Sequence, residues 1–343
     1  MNTQISILII YTGGTIGMFQ EKKNKPLQLL NFDNIYDQLP ILRQFECDID
    51  TYAFDPVIDS SNMNPAFWIR IAEVIEQTYE HYDGFVVLHG TDTMAFTASA
   101  LSFLLEHLNK PVVFTGSQLP LGIIRTDGRE NLITAIEIAA AREDDTPIVP
   151  EVSLYFESKL YRGNRTTKFN AENFDAFLSG NYPVLAEAGI HITYHHHEIL
   201  KPRFKRLKVH KQLDPNIAIL KLFPGITRAV VAGMLSIEGL KAVILETYGT
   251  GNAPTEAWFL DALAEASQRG VMLCNVTQCK RGSVEMGRYE TSVELNKLGV
   301  VSAYDMTTEA AATKLMYLLG RYDSREQVEH WFQTPLRGEM SVK

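Results

Sequence analysis

Strands buried on both faces leave unbroken apolar runs, whereas amphipathic helices leave a stripe spaced three and four residues apart. This chain alternates the two. Ile5–Tyr11 is a continuous, largely β-branched run, and Ile49–Phe54, Phe85–Leu88, Val112–Phe114 and Val152–Phe156 follow as further strand candidates. The intervals between them are long enough for crossover helices, so the pattern predicts a parallel α/β arrangement. Helix signals fall in those intervals. Asn64-Pro65 reads as a cap followed by proline at the first helical position, with Phe67, Ile71, Val74 and Ile75 on one face. A second helix is predicted near Asp92–Thr93, and a third near Asp127, running through RENLITAIEIAAA.

Around Ile190–Asp214 the alternation gives way to HITYHHHEILKPRFKRLKVHKQLDP, rich in histidine and basic residues and broken by two prolines. That composition predicts a linker over 191–214, between an N-terminal domain at 1–190 and a C-terminal domain at 215–343. Beyond it NIAILKLF, AVILETYG and VMLCNVT read as strands. TEAWFLDALAEASQRG reads as an amphipathic helix ended by glycine. DMTTEAAATKLMYLLG reads as another, with Thr307 as cap, Glu309 in the first turn and Gly320 as stop. No internal repeat or heptad run interrupts the pattern.

Composition changes this picture only by exclusion. With 343 residues, 45% of them hydrophobic, the chain can bury one large core or two medium ones. A formal charge of −9 leaves no basic footprint for nucleic acid. The N-terminus has no basic n-region, and its apolar run is too short for a membrane span, so neither a secretory signal nor membrane insertion is expected. Three cysteines, Cys47, Cys274 and Cys279, suit a reducing compartment, and CNVTQC lacks the second pair of a zinc site. These features predict a cytoplasmic protein.

Each predicted N-terminal strand runs into a polar, glycine-studded loop: TGGT (Thr12–Thr15), DSSN (Asp59–Asn62), HGTDT (His89–Thr93), TGSQ (Thr115–Gln118) and ESKLYRGNRTTK, which ends at Lys168. In an open parallel sheet such loops gather at the carboxyl edge, where ligands bind. Their inventory is hydroxyl-rich: Thr15, Ser60, Ser61, Thr91, Thr93 and Ser117, with one carboxylate, Asp92, and one amine, Lys168. A threonine hydroxyl becomes a nucleophile only when a base within hydrogen-bond reach removes its proton. A desolvated lysine beside an aspartate is suited to that, which points to acyl transfer. Gly13-Gly14-x-x-Gly17 matches neither dinucleotide nor P-loop spacing, so a phosphate cradle gives way to a tight turn, in which Thr15 either enters a cleft or merely caps the next segment, the latter being the default for this stretch alone.

YTGGTIGM, HGTDTM, TGSQLPL, RTDGRENL, LYRGNRTTK, YGTGNAP and DMTTEAA occur in this order across both halves of the chain. Together they resemble the bacterial type I, cytoplasmic L-asparaginases of the asparaginase/glutaminase family. The resemblance implies a larger N-terminal domain with an open, mostly parallel sheet flanked by helices and most of the active site, and a smaller C-terminal parallel α/β domain. It further implies a homodimer or homotetramer that needs no metal or organic cofactor. The implied reaction is hydrolysis of the side-chain amide of L-asparagine to aspartate and ammonia, through attack by Thr15 and an acyl-enzyme. By the same resemblance Thr91, Asp92 and Lys168 form the second catalytic group. Ser60 and Ser61 hold the substrate α-carboxylate, Thr91 and Asp92 also contact substrate, and Ser117 lies where backbone flanks the scissile amide. Asn252, in the loop Tyr248–Pro254, is implied to reach a partner subunit's active site.

Two departures from the family pattern stand out. The lid after the first threonine usually carries a tyrosine, but Phe19–Leu30 has none, and the nearest downstream is Tyr36. An allosteric pocket of some type I members has an arginine where this chain has Glu246, with Thr167 and Cys279 at other pocket positions. A carboxylate cannot grip a carboxylate, so hyperbolic kinetics are expected. Alternative functions are a relaxed glutaminase-asparaginase, a transamidation subunit, which usually carries an N-terminal extension, and a catalytically dead amino-acid sensor. His195, His196 and His197 are expected as surface histidines, and the six lysines and arginines from Lys201 to Lys211 as a solvated linker. His89 is expected to be buried and bonded to backbone. Asp127, Arg129 and Asn131 are expected to cap and brace a helix start.

Overall fold

The structure, a computed structural model, describes residues 4–19, 28–29, 36, 39–287 and 290–341. Backbone contacts divide the chain into two units, Met1–Ser179 with Pro183–His210, and Gly180–Tyr182 with Lys211–Lys343.

The first unit is built on five parallel strands: β1 (Ile5–Tyr11), β2 (Cys47–Ala53), β3 (Gly84–Leu88), β4 (Val112–Thr115) and β5 (Val152–Phe156). Antiparallel strands β6 (Lys159–Arg162), β9 (Ala186–Ala188) and β10 (Ile192–Tyr194) extend the same sheet, in the order β10-β9-β6-β5-β4-β3-β1-β2. A separate hairpin, β7 (Thr167–Lys168) with β8 (Phe177–Leu178), follows β6. Ile7, Ile9 and Ile10 are fully buried, as are Phe85 to Leu88, which is why these strands read as unbroken apolar runs. From β1 the chain steps to β2 on one side and then to β3 on the other. That reversal opens a crevice beyond the carboxyl ends of β1 and β3.

Helices α1 (Pro65–Thr78), α2 (Met94–Leu104) and α3 (Gly128–Ala140) fall in the intervals the pattern predicts. Asn64 caps α1 by accepting from the Ala66 N–H at 3.0 Å, and Pro65 opens the helix. Its core face is Trp68, Ile71, Ala72, Val74 and Ile75, so Trp68 takes the slot expected for Phe67. The indole explains the exchange: its N–H donates to the Thr97 hydroxyl on buried α2 at 3.1 Å, satisfying the polar edge of a large apolar ring.

The stretch 191–214 is less of a linker than its composition suggests. Ile192–Tyr194 completes the large sheet, and Lys208–Val209 pairs with Leu105–Glu106. His210 lies 2.6 Å from the Glu106 carboxylate, and the unit ends there. Its polar residues find fixed partners, which composition alone does not reveal. His195 bonds the Val184 carbonyl at 2.9 Å, while His196 is half exposed. The basic side chains Lys201, Arg203, Lys205, Arg206, Lys208 and Lys211 are all exposed.

The second unit has four parallel strands in sequential order, β11 (Ile217–Lys221), β12 (Ala242–Thr247), β13 (Met272–Thr277) and β14 (Val301–Ser302). Among the described residues five helices accompany them: α4 (Arg228–Leu235), α5 (Ala257–Gln268), α6 (Glu290–Lys297), α7 (Thr308–Leu319) and α8 (Arg325–Phe332). Val243, Leu245, Phe259, Leu263, Leu273 and Leu295 share its core. Thr307 caps α7 as expected, accepting from the Ala310 N–H at 3.1 Å. Lys314, midway along α7, is fully buried. Its ammonium donates to the Phe332 and Thr334 carbonyls at 2.8 and 2.7 Å and to the buried Glu339 carboxylate, so the pair pins the C-terminal segment onto α7.

Candidate active site

Three loops at the carboxyl edge of β1, β2 and β3 touch through backbone. Thr12 accepts from the Ile58 N–H at 2.8 Å and donates its own N–H to Leu88 at 3.0 Å, stitching the loop after β1 to its neighbours on both sides. The contacts beyond Thr12 tolerate no side chain. A Cβ on Gly14, whose φ is +93°, would lie 2.5 Å from the Gly90 nitrogen, and one on Gly90 would lie 2.5 Å from the Ser60 hydroxyl oxygen. Thr15, directly after Gly14, opens a short turn, Thr15–Gly17, which the Tyr11 hydroxyl braces by bonding to the Gly14 carbonyl at 3.3 Å. Burial pushes the Tyr11 phenol up to about 12, so it stays a neutral donor. Thr15 is half buried, and its hydroxyl makes no hydrogen bond to a described residue.

Thr91 and Asp92 follow Gly90, and the Thr93 hydroxyl donates to the Ser60 carbonyl at 2.7 Å. From 76 residues further along the chain, the β7 strand brings in Lys168. Its ammonium donates to the Thr91 hydroxyl at 2.8 Å and to the Asp92 carboxylate at 2.7 Å. Lys168 is 17% exposed and Asp92 66%, so the carboxylate keeps most of its hydration while the amine is largely enclosed. The direction of the first bond matters: the Lys168 nitrogen is the donor, and the Thr91 hydroxyl oxygen accepts.

Ser60 is buried. Ser61 is exposed and turned back on Asp59, to which its hydroxyl donates at 2.7 Å and its N–H at 2.8 Å. Those backbone and side-chain bonds hold the Asp59 carboxyl below its usual range. The Ser117 hydroxyl is committed to the Leu119 carbonyl at 2.6 Å. Asn252 belongs to the second unit, in the turn where Tyr248 and Asn252 exchange backbone bonds of 2.9 and 2.8 Å. There too the Glu246 carboxylate accepts from Thr308 at 2.6 Å and lies 3.5 Å from Lys221.

The supporting residues depart from expectation in one respect. Asp127 does not cap α3; Thr126 takes that part, accepting from the Gly128 N–H at 2.9 Å. The Asp127 carboxylate instead accepts from the backbone N–H groups of Gln118 and Leu119 and from Asn131, bracing the loop after β4. Three backbone and side-chain donors within reach make a stronger claim on a carboxylate than a single cap. His89 is buried and bonded to backbone as expected, its Nδ1 donating to the Gly90 carbonyl at 2.7 Å and its Nε2 accepting from Thr97 at 2.9 Å. Burial pushes this imidazole down to about 4, so it is neutral and structural. Most of the lid stretch lies outside the described residues. Tyr36 is described, and its hydroxyl is engaged with the Ile49 N–H and carbonyl at 3.2 and 3.3 Å. Ile49 pairs with Ile7, four residues or about 13 Å short of the carboxyl end of β1. In the sequence Gln118 stands out only as part of a polar loop; its side chain reaches Thr91 at 3.3 Å, a contact no local pattern signals.

Family profiles match nearly the whole chain: "Asparaginase, N-terminal" over residues 6–200 and "Glutaminase/Asparaginase C-terminal domain" over 216–332. L-asparaginase 1 of Escherichia coli K12 is 45% identical over 341 residues, covering 98% of each chain. The crystal structure of L-asparaginase I from Vibrio cholerae superposes with a TM-score of 0.89 at 42% identity, over 99% of this chain and 100% of that one. The thermostable L-asparaginase from Thermococcus kodakarensis superposes with a TM-score of 0.90 at 30% identity, over 99% of this chain and 100% of that one. The joined strand-end loops, the match to both domain profiles and the full-length relatives together place this chain in the asparaginase/glutaminase family.

Proposed function

We propose that the protein hydrolyses the side-chain amide of L-asparagine, releasing ammonia and L-aspartate, with Thr15 as the nucleophile. The Thr15 hydroxyl oxygen attacks the amide carbon, its proton passes to the departing nitrogen, and ammonia leaves an aspartyl ester on Thr15. Water then adds to the ester, the carbon–oxygen bond to Thr15 breaks, and the proton returns to the threonine. Thr91 and Lys168 hold the attacking water, Asp92 meets the substrate α-ammonium, and Ser60 and Ser61 meet its α-carboxylate. Ser117 braces the backbone beside the scissile amide. Asn252 acts from a partner subunit in a homodimer or homotetramer, which light scattering tests.

The observation that carries this reading is the Lys168 amine bonded at once to Thr91 and Asp92, on a loop whose Gly90 packs against the glycine preceding Thr15. Names borne by relatives, L-asparaginase 1 and L-asparaginase I, favour asparagine as the amide. Glutamine is a weaker substrate in this reading, since one extra methylene shifts discrimination by about 1–3 kcal/mol. Acid quench during turnover followed by peptide mass spectrometry tests the nucleophile. An aspartyl adduct on the Thr15 peptide supports it, and an adduct on the Thr91 peptide overturns it.

A further inference from the structure

We infer that Gln118 is a positioning residue that fixes the direction of the Thr91 hydroxyl, so that Thr91 faces Lys168 and the reacting water as an acceptor only. This rests on the roles of Thr91 and Lys168 proposed above. Gln118 is anchored first through its backbone, whose N–H donates to both oxygens of Asp127 at 3.1 and 2.9 Å. Its side-chain nitrogen donates to the Asn173 carbonyl at 3.0 Å and the Ala171 carbonyl at 3.5 Å. Peptide carbonyls only accept, so the amide nitrogen must face them and the amide oxygen must face away. On that far side Oε1 lies 3.3 Å from the Thr91 Oγ1.

Donor counting then leaves one solution. A threonine hydroxyl has one proton and two lone pairs, and the glutamine oxygen can only accept, so the Thr91 proton is committed to Gln118. Lys168 takes one lone pair, at 2.8 Å. The remaining lone pair accepts an O–H of water and leaves that water's own lone pairs available for attack. Without Gln118 the hydroxyl is free to rotate and to donate to the water, which blocks a lone pair that attack requires. Ala171 and Asn173 also sit in the tip of the β7–β8 hairpin that carries Lys168, so the same amide ties the hairpin to the loop after β4.

The two contributions separate by substitution. Gln118→Met removes the acceptor and the hairpin donors together, whereas Gln118→Glu keeps an oxygen facing Thr91, replaces the donors with a second acceptor oxygen facing the Asn173 and Ala171 carbonyls, and adds a charge. In steady-state ammonia release from asparagine, Gln118→Met is expected to lower kcat about tenfold with KM within about twofold. Gln118→Glu is expected to restore kcat to within about threefold of wild type. Gln118→Leu replaces the methionine variant if thermal unfolding shows that the latter has not folded. Wild-type kcat in the apolar variants, a rise in KM alone, or a glutamate variant no better than methionine each overturns the inference. Lys168→Met in the same assay separates the two levels: wild-type turnover there defeats the site assignment, whereas an inactive Lys168→Met beside a fully active Gln118→Met defeats only the role of Gln118.

Discussion

Gly14→Ala probes how the fold delivers Thr15. Gly14 has φ 93° and ψ 172°, a region open essentially to glycine alone, and a side chain held there costs about 1–3 kcal/mol. The new Cβ would also lie 2.5 and 2.6 Å from the nitrogen and Cα of Gly90, and backbone at that distance cannot swing aside. Overpacking of this kind adds about 1–3 kcal/mol, so the loss totals roughly 2–6 kcal/mol. At about 2–4 °C per kcal/mol, differential scanning calorimetry should record a drop in the first unit's Tm of ~4–24 °C. The activity loss should exceed what the folded fraction explains. The loops before Thr15 and Thr91 must part by about an ångström, and misplacement on that scale costs on the order of a hundredfold in rate. Ammonia release is measured well below the lowered Tm, where the variant is folded. A Gly14→Ala enzyme with wild-type kcat and Tm would show that this close approach does not position Thr15.

The buried Lys314–Glu339 pair predicts that Lys314→Met destabilises the second unit by about 3–5 kcal/mol in thermal unfolding, because it strands a buried carboxylate. Recovery of part of that loss is expected in Lys314→Met/Glu339→Gln, and no recovery would mean that packing rather than charge is decisive. His89 has its folded value pushed down from 6.5 to about 4, so the unfolded chain binds the extra proton between those limits. Its contribution is complete above about pH 6.5 and is lost as pH falls towards 4, about 3 kcal/mol in all. Urea titrations across that range should show this dependence in wild type and lack it in His89→Gln. With Glu246 bonded to Thr308 and beside Lys221, asparagine saturation is expected to be hyperbolic, and a sigmoidal curve would contradict that.

What the chain reveals before folding depends on how local each determinant is. The parallel strands of the first unit are legible because burial on both faces demands runs such as Ile7–Ile10 and Phe85–Leu88. The antiparallel additions are not: β9 and β10 have three residues each, with only Ala186 buried among otherwise exposed or half-buried positions, so no periodicity marks them. Motif spacing brings forward Thr91, Asp92 and Lys168, since each lies in a polar segment that follows a predicted strand, and the structure joins those three directly. Gln118 stands in the same set of loops without a role, because its importance lies in which way one proton points. Lys314 sits on a helix stripe, and its partner Glu339 is 25 residues away, a pairing that only the tertiary path creates.

If Thr15, Thr91 and Lys168 act together on the amide of asparagine as proposed, ammonia release from L-asparagine is the decisive assay. Purified wild-type protein should release ammonia and aspartate in equal amounts, while folded Thr15→Ala and Lys168→Met should each fall by at least about three orders of magnitude. A wild-type protein that binds aspartate yet releases no ammonia, or a Thr15→Ala variant as fast as wild type, would rule that joint action out.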